Sequence, residues 1–316
     1  MANLLQTFIV FCEPAYARST VIAELWNTLS SFAYCIPAMY FWNLTDKYRV
    51  ALPECYPEKV VFQCKFCAMA WFILGLGSAA FHAFQTVWAE LWDELGMLLA
   101  ILAISFCLFD LHPLTTGKRA IRFYGFLVRT VIGATLLYTQ IMYHPFFAMT
   151  FLLAALVPAF LLLTLPMNLN SGRVKYYHES AKGSPQKEFS DKDLILKKCA
   201  SLSPFGSLSM NRAALSGILI SVVGYSVWHV DQLCVHQKWG ASVPLVYELD
   251  WYHWAHPFWH LSTAVASLFF FDAMLKVRVE AHLSPLTRRP LTGSFIPMFS
   301  FRSSVKLLLG LRAEKQ

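Results

Sequence analysis

His256 and His260 stand four residues apart. In a helix that spacing puts both imidazoles on one face, where they can bind a single metal ion through ring nitrogens. His82 can supply a third nitrogen from a different segment. Three histidines with one position left open is the arrangement of catalytic zinc, with water in the fourth place. Such an ion lowers the pKa of its water toward ~7 and polarises a carbonyl. Asp93 is the carboxylate placed to take the proton. Ser78 lies four residues before His82 and so shares its helical face, where it can hydrogen-bond the water or a developing oxyanion.

These residues fall inside apolar runs, and so do others. Glu24 and Asn27 open the first run, Glu90 and Glu94 flank Asp93, His229 and Asp231 close the sixth, and His253 opens the seventh. A charged side chain inside a bilayer is costly unless it is paired or watered, which makes each a functional candidate. Some have plainer roles. Glu94 suits the positive end of a helix dipole. His253 is off the face shared by His256 and His260 and reads as interfacial. His229 and Asp231 read equally as partners of the histidines or as polar residues close to a loop.

The elements that position this set are membrane spans. A bilayer-crossing helix needs about 20 mostly apolar residues, and seven stretches qualify: 21–42, 60–84, 87–108, 124–143, 147–165, 213–234 and 252–275. The expected fold is all-α, a seven-transmembrane helical bundle. Lysine and arginine concentrate in the third-to-fourth and fifth-to-sixth connections and after 275. By the positive-inside rule these face the cytosol, so the N-terminus is lumenal or extracellular and the C-terminus cytosolic. With that topology the polar residues of five spans all lie toward the lumenal end.

The expected organisation is a lumenal segment over 1–20, a catalytic bundle over 21–275, and a cytosolic tail over 276–316. A flexible cytosolic loop without a core of its own occupies about 168–205, a stretch rich in Ser, Lys, Gly and Asp. The first residues do not read as a signal peptide, because no basic residue precedes the short apolar run before Glu13. A composition 57% hydrophobic and 14% charged excludes an ordinary soluble domain. The net charge of +7 comes from loops and tail between apolar blocks, which points to the membrane surface and away from nucleic acid. Cys64 and Cys67 form an isolated CxxC in an apolar run and read as buried small side chains.

The segments Cys12-Glu13 and Ala23-Glu24-Leu25-Trp26-Asn27 resemble the N-terminal signature of the alkaline ceramidases. Gly77-Ser78-x-x-Phe81-His82 and Trp92-Asp93-Glu94-Leu95-x-Met97 resemble their second and third spans, and Trp228-x-x-Asp231 and His256-x-x-Trp259-His260 their last two. The Ser, Asp and histidine set alone is shared with a wider superfamily of seven-span hydrolases and receptors. The Cys-Glu and Ala-Glu-x-Trp-Asn pieces point to the ceramidases.

The resemblance implies a zinc-dependent amide hydrolase, resident in endoplasmic reticulum or Golgi membrane, that splits ceramide, dihydroceramide or phytoceramide into a sphingoid base and a fatty acid. It implies His82, His256 and His260 as zinc ligands, with Asp93 and Ser78 around the water. It pairs Cys12 with Cys234 in a lumenal disulfide. It also implies a calcium site in the N-terminal segment, for which Glu13 and Glu24 are present. Val10 and Ala15 stand where an acid and an Asn are expected, which removes two side-chain oxygens from an ion that favours six to eight. Two other readings share the histidine set: a zinc-binding receptor of the progestin/adiponectin type, and an ester hydrolase that remodels glycerolipid anchors.

Overall fold

The computed structural model describes residue 11, residues 13–109, 111, 155, 158, 185–206, 208–238 and 254–283. The described residues form seven α-helices and no strand: α1 (Leu25–Ser31), α2 (Cys35–Ala51), α3 (Glu58–Phe84), α4 (Val87–Phe109), α5 (Pro185–Leu202), α6 (Met210–Lys238) and α7 (Ala255–Leu283). Four segments are long and apolar enough to cross a membrane: Glu58–Phe84, Val87–Leu108, Met210–Asp231 and Ala255–Leu283. They correspond to the second, third, sixth and seventh expected spans. The spans expected over 124–143 and 147–165 lie outside the described residues, apart from Ala155 and Pro158.

The first expected span is built differently. It begins at Leu25, is interrupted by one 3-10 turn over Phe32–Tyr34, and resumes as α2 through Ala51. Pro37 explains the interruption: it has no N–H to give the carbonyl four residues back, and its ring crowds that carbonyl. The extension beyond residue 42 carries Asp46, whose carboxylate meets Lys65 of α3 at 2.7 Å.

The last helix also outruns expectation. Residues 276–283, assigned to the tail by their charges, continue α7 with Lys276 and Arg278 buried. Lys276 Nζ donates to Asp272 Oδ2 one turn back and to the Leu208 carbonyl, both at 2.7 Å. Arg278 reaches the Gln63 side chain at 3.0 Å and the Cys107 carbonyl. Partners across helix boundaries let these charges stay inside. The stretch 168–205 likewise has structure: α5 occupies most of its second half. Cys199 of α5 is buried and its carbonyl accepts from Tyr48 Oη of α2 at 3.1 Å.

α3 packs along α4 and α6 along α7, while α1 and α2 lie against α3 and α7. The core is apolar and aromatic, with Phe41 stacked on Phe271 at 4.1 Å and Trp71 edge-on to the same ring. Outward-facing apolar side chains such as Phe62, Leu76, Leu219, Val222 and Val265 are exposed, as a lipid-facing surface requires.

Candidate metal centre

Short connections and one close approach set the geometry. α3 ends at Phe84, and only two residues separate it from the start of α4. Gly77 lets the two helices touch: a Cβ there would stand 2.9 Å from the Trp92 carbonyl oxygen and 3.3 Å from Asp93 N. The absent side chain therefore brings Ser78, one residue on, beside Asp93 across the interface. The Asp93 carboxylate faces the Ser78 hydroxyl, and both residues are buried.

The end of α3 carries His82, and the first turns of α7 carry His256 and His260. All three are buried, and each has a ring nitrogen within 4.8 Å of one on both others. The rings stand at 4.9 Å for His82 and His256, 5.1 Å for His82 and His260, and 4.6 Å for His256 and His260. Three imidazoles meeting at such distances could hold a metal ion. The donor chemistry fits, because His82 Nε2 is buried and has no hydrogen-bond partner among the described residues. A buried polar atom left bare is rare and costly unless something binds it.

The second nitrogen of each histidine has protein beside it. His82 Nδ1 lies 2.6 Å from Glu24 Oε2. Asp231 Oδ2 stands 3.5 Å from His256 Nδ1. His260 Nδ1 lies 2.9 Å from Ser30 Oγ and 3.3 Å from Ser31 Oγ. Metal-binding histidines are held in this way, with the far nitrogen directed at a carboxylate, carbonyl or hydroxyl. Between the two readings of the sixth segment, Asp231 is fully buried beside His256, whereas His229 is exposed and packs its ring on Tyr225 at 4.5 Å.

Phe11, Glu13 and Glu24, all before α1, lie close to this centre. Glu13, 12 residues before the start of α1, caps that helix: Oε1 accepts from Trp26 N and Oε2 from Asn27 N, each at 2.9 Å. This satisfies two of the donors a helix start leaves open. Glu24 Oε2 also accepts from Asn27 Nδ2 at 2.9 Å, and Oε1 from Gln85 Nε2 at 2.5 Å. Phe11 is buried with its ring 4.2 Å from that of His256 and 4.9 Å from that of His82. Cys12 and the side chain of Cys234 lie outside the described residues, and so does the disulfide expected between them. His253 lies outside them as well.

Several participants had little sequence signal. Ser30 and Ser31 are ordinary residues in an apolar run, although Ser31 shares a helical face with Asn27, whose carbonyl it bonds at 2.7 Å. Ser31 Oγ also lies 3.1 Å from Ser78 Oγ, which links α1 to the Ser78–Asp93 pair. Nothing in the sequence marks Phe11.

Next to this region lies a half-open apolar cavity of about 300 Å³, lined among others by Tyr34, Trp71, Met97, Ala100, Ile104 and Thr263. Tyr34 joins the two regions, with its ring 5.6 Å from that of His260. The family model described as Ceramidase matches residues 6–289, most of the 316-residue chain, and the chain belongs to that family.

Proposed function

We propose that this chain is a zinc-dependent intramembrane hydrolase that cleaves the amide bond of ceramide-type sphingolipids, releasing a sphingoid base and a free fatty acid. The observation that carries the reading is the buried His82, His256 and His260 group in a chain of the Ceramidase family. When bound, zinc supplies Lewis-acid polarisation of the amide carbonyl and makes water acidic enough to lose a proton near neutral pH.

The chain's own residues supply the rest. Asp93 accepts the proton from the attacking water and returns it to the departing amine nitrogen, so that amide and water become amine and carboxylic acid. Ser78 donates to the oxygen that gains negative charge when the carbonyl is attacked. The apolar cavity takes a hydrocarbon chain of the substrate and leaves its amide near the histidines. Phe11 covers the opposite side and limits bulk water. A lipid reaches such a centre laterally through the bilayer, and the proposed setting is a multi-pass protein of the endoplasmic reticulum or Golgi membrane with its centre toward the lumen.

The test is hydrolysis of a ceramide panel by purified protein, before and after stripping with a chelator. The expected result is paired release of sphingoid base and fatty acid, lost with the metal and restored by zinc. If metal-loaded protein releases no fatty acid from ceramide, dihydroceramide or phytoceramide, the reading is wrong.

A further inference from the structure

We propose that Glu24 is a positioning residue for the histidine centre: it fixes the tautomer of His82, is held in place by Gln85 and Asn27, and has no role as a calcium ligand. The inference rests on the proposed metal centre and concerns the residues behind it.

Glu24 and His82 are joined through both backbone and side chain. Glu24 N donates to the His82 carbonyl at 3.0 Å, and Ala23 N donates to the Ala83 carbonyl at 3.0 Å. These bonds satisfy carbonyls that the end of α3 leaves open. They also fix the Glu24 backbone beside His82, so its carboxylate meets Nδ1 at 2.6 Å. A carboxylate facing Nδ1 keeps the proton there and leaves the Nε2 lone pair for a metal. The Nε2 atom of His82 is buried and has no hydrogen-bond partner among the described residues.

Gln85 closes the arrangement from the other side. It follows the last residue of α3 with φ +47°, a left-handed conformation uncommon for a residue other than glycine. Its N–H returns to the Phe81 carbonyl at 2.7 Å, and its side chain turns to Glu24 Oε1. A strained residue of this kind persists where the surroundings hold it. Here the amide of Gln85 supplies the donor for the second carboxylate oxygen.

This arrangement does not fit a calcium ion. All four carboxylate oxygens of Glu13 and Glu24 face protein donors, two of them backbone amides capping α1. Ala15 has no oxygen in its side chain, and calcium needs six to eight oxygen ligands. Protein hydrogen bonds do here what a bound cation would do for two buried carboxylates.

Zinc affinity of the detergent-solubilised full chain, measured by competition with a chromogenic chelator in the absence of lipid, tests the proposal. Glu24→Gln removes the negative charge and offers an amide to Nδ1. Its zinc affinity, read on the folded fraction, is expected to fall about 10- to 100-fold. Glu24→Asp keeps the carboxylate and is expected to recover part of that loss. Gln85→Ala is expected to weaken zinc binding less than Glu24→Gln does. Calcium chloride at millimolar concentration is expected to leave both zinc affinity and melting temperature unchanged. Wild-type zinc affinity in Glu24→Gln, or Glu24→Asp no better than Glu24→Gln, overturns the positioning role. A calcium-dependent rise in melting temperature that Glu24→Gln abolishes overturns the calcium-free reading. Because no substrate is present, failure to cleave ceramide would leave these outcomes intact and count only against the proposed reaction.

Discussion

Glu24 meets His82 twice, by backbone hydrogen bond at 3.0 Å and by carboxylate to Nδ1 at 2.6 Å, although 58 positions separate them in the chain. The residue just before α1 is thereby attached to the end of α3 at the histidine that faces the other two. The centre thus has Ser30 and Ser31 of α1 beside His260, and Asp231 of α6 beside His256.

Loss of any one histidine should empty the centre. His82→Ala, His256→Ala and His260→Ala are each expected to lose bound zinc and at least about 10³-fold in hydrolysis, or roughly 4 kcal/mol of barrier. Metal content measured by mass spectrometry alongside fatty-acid release checks this. A variant that keeps full activity would remove that residue from the centre.

Asp93→Asn and Ser78→Ala should separate chemistry from metal binding. Asp93→Asn is expected to lower kcat about 10²- to 10⁴-fold and Ser78→Ala about 10²- to 10³-fold. Zinc content is expected to stay at the wild-type level in both, since neither belongs to the histidine group that could hold the ion. Concurrent loss of zinc would reassign them to structural support.

Gly77→Ala should disturb the centre from outside it. The added Cβ would stand 2.9 Å from the Trp92 carbonyl oxygen, which is backbone and cannot swing away. A cost of about 1–3 kcal/mol is expected in unfolding, together with reduced activity as Ser78 and Asp93 separate. Thermal unfolding and turnover, measured together, read both.

Ala100→Phe should alter chain selection. Ala100 is buried and lines the apolar cavity, so a ring there fills space a hydrocarbon chain would occupy. Preference within a ceramide series is expected to move toward shorter chains, read as kcat/KM across chain lengths, with zinc content unchanged.

Lys276→Met should destabilise without touching the chemistry. Its ammonium pairs with the fully buried Asp272 at 2.7 Å. Asp272 is 12 residues along α7 from His260, about 18 Å at helical rise. Removing one partner of a buried pair costs about 3–5 kcal/mol. The expected result is a lower melting temperature with unchanged zinc affinity in the folded fraction.

What the sequence by itself determined is what short-range periodicity carries. The run lengths over 60–84 and 87–108 place two helices to within two residues, because hydrophobic length is a local property. The four-residue spacings of Ser78 with His82 and of His256 with His260 place them on shared faces for the same reason. Only the tertiary structure decided which polar residues meet. Glu24 was legible as a costly charge, yet its partner His82 lies on another helix. Asp231 and His229, two residues apart, had equal claims, and helical rotation sends one inward and the other out. Lys276 and Arg278 read as cytosolic charges because the Leu208 carbonyl, Gln63 and the Cys107 carbonyl become their partners only when the helices pack together, even though Asp272, one turn back on α7, was within local reach. A charge is expensive or satisfied according to its neighbours, and a linear sequence names only those within one or two helical turns.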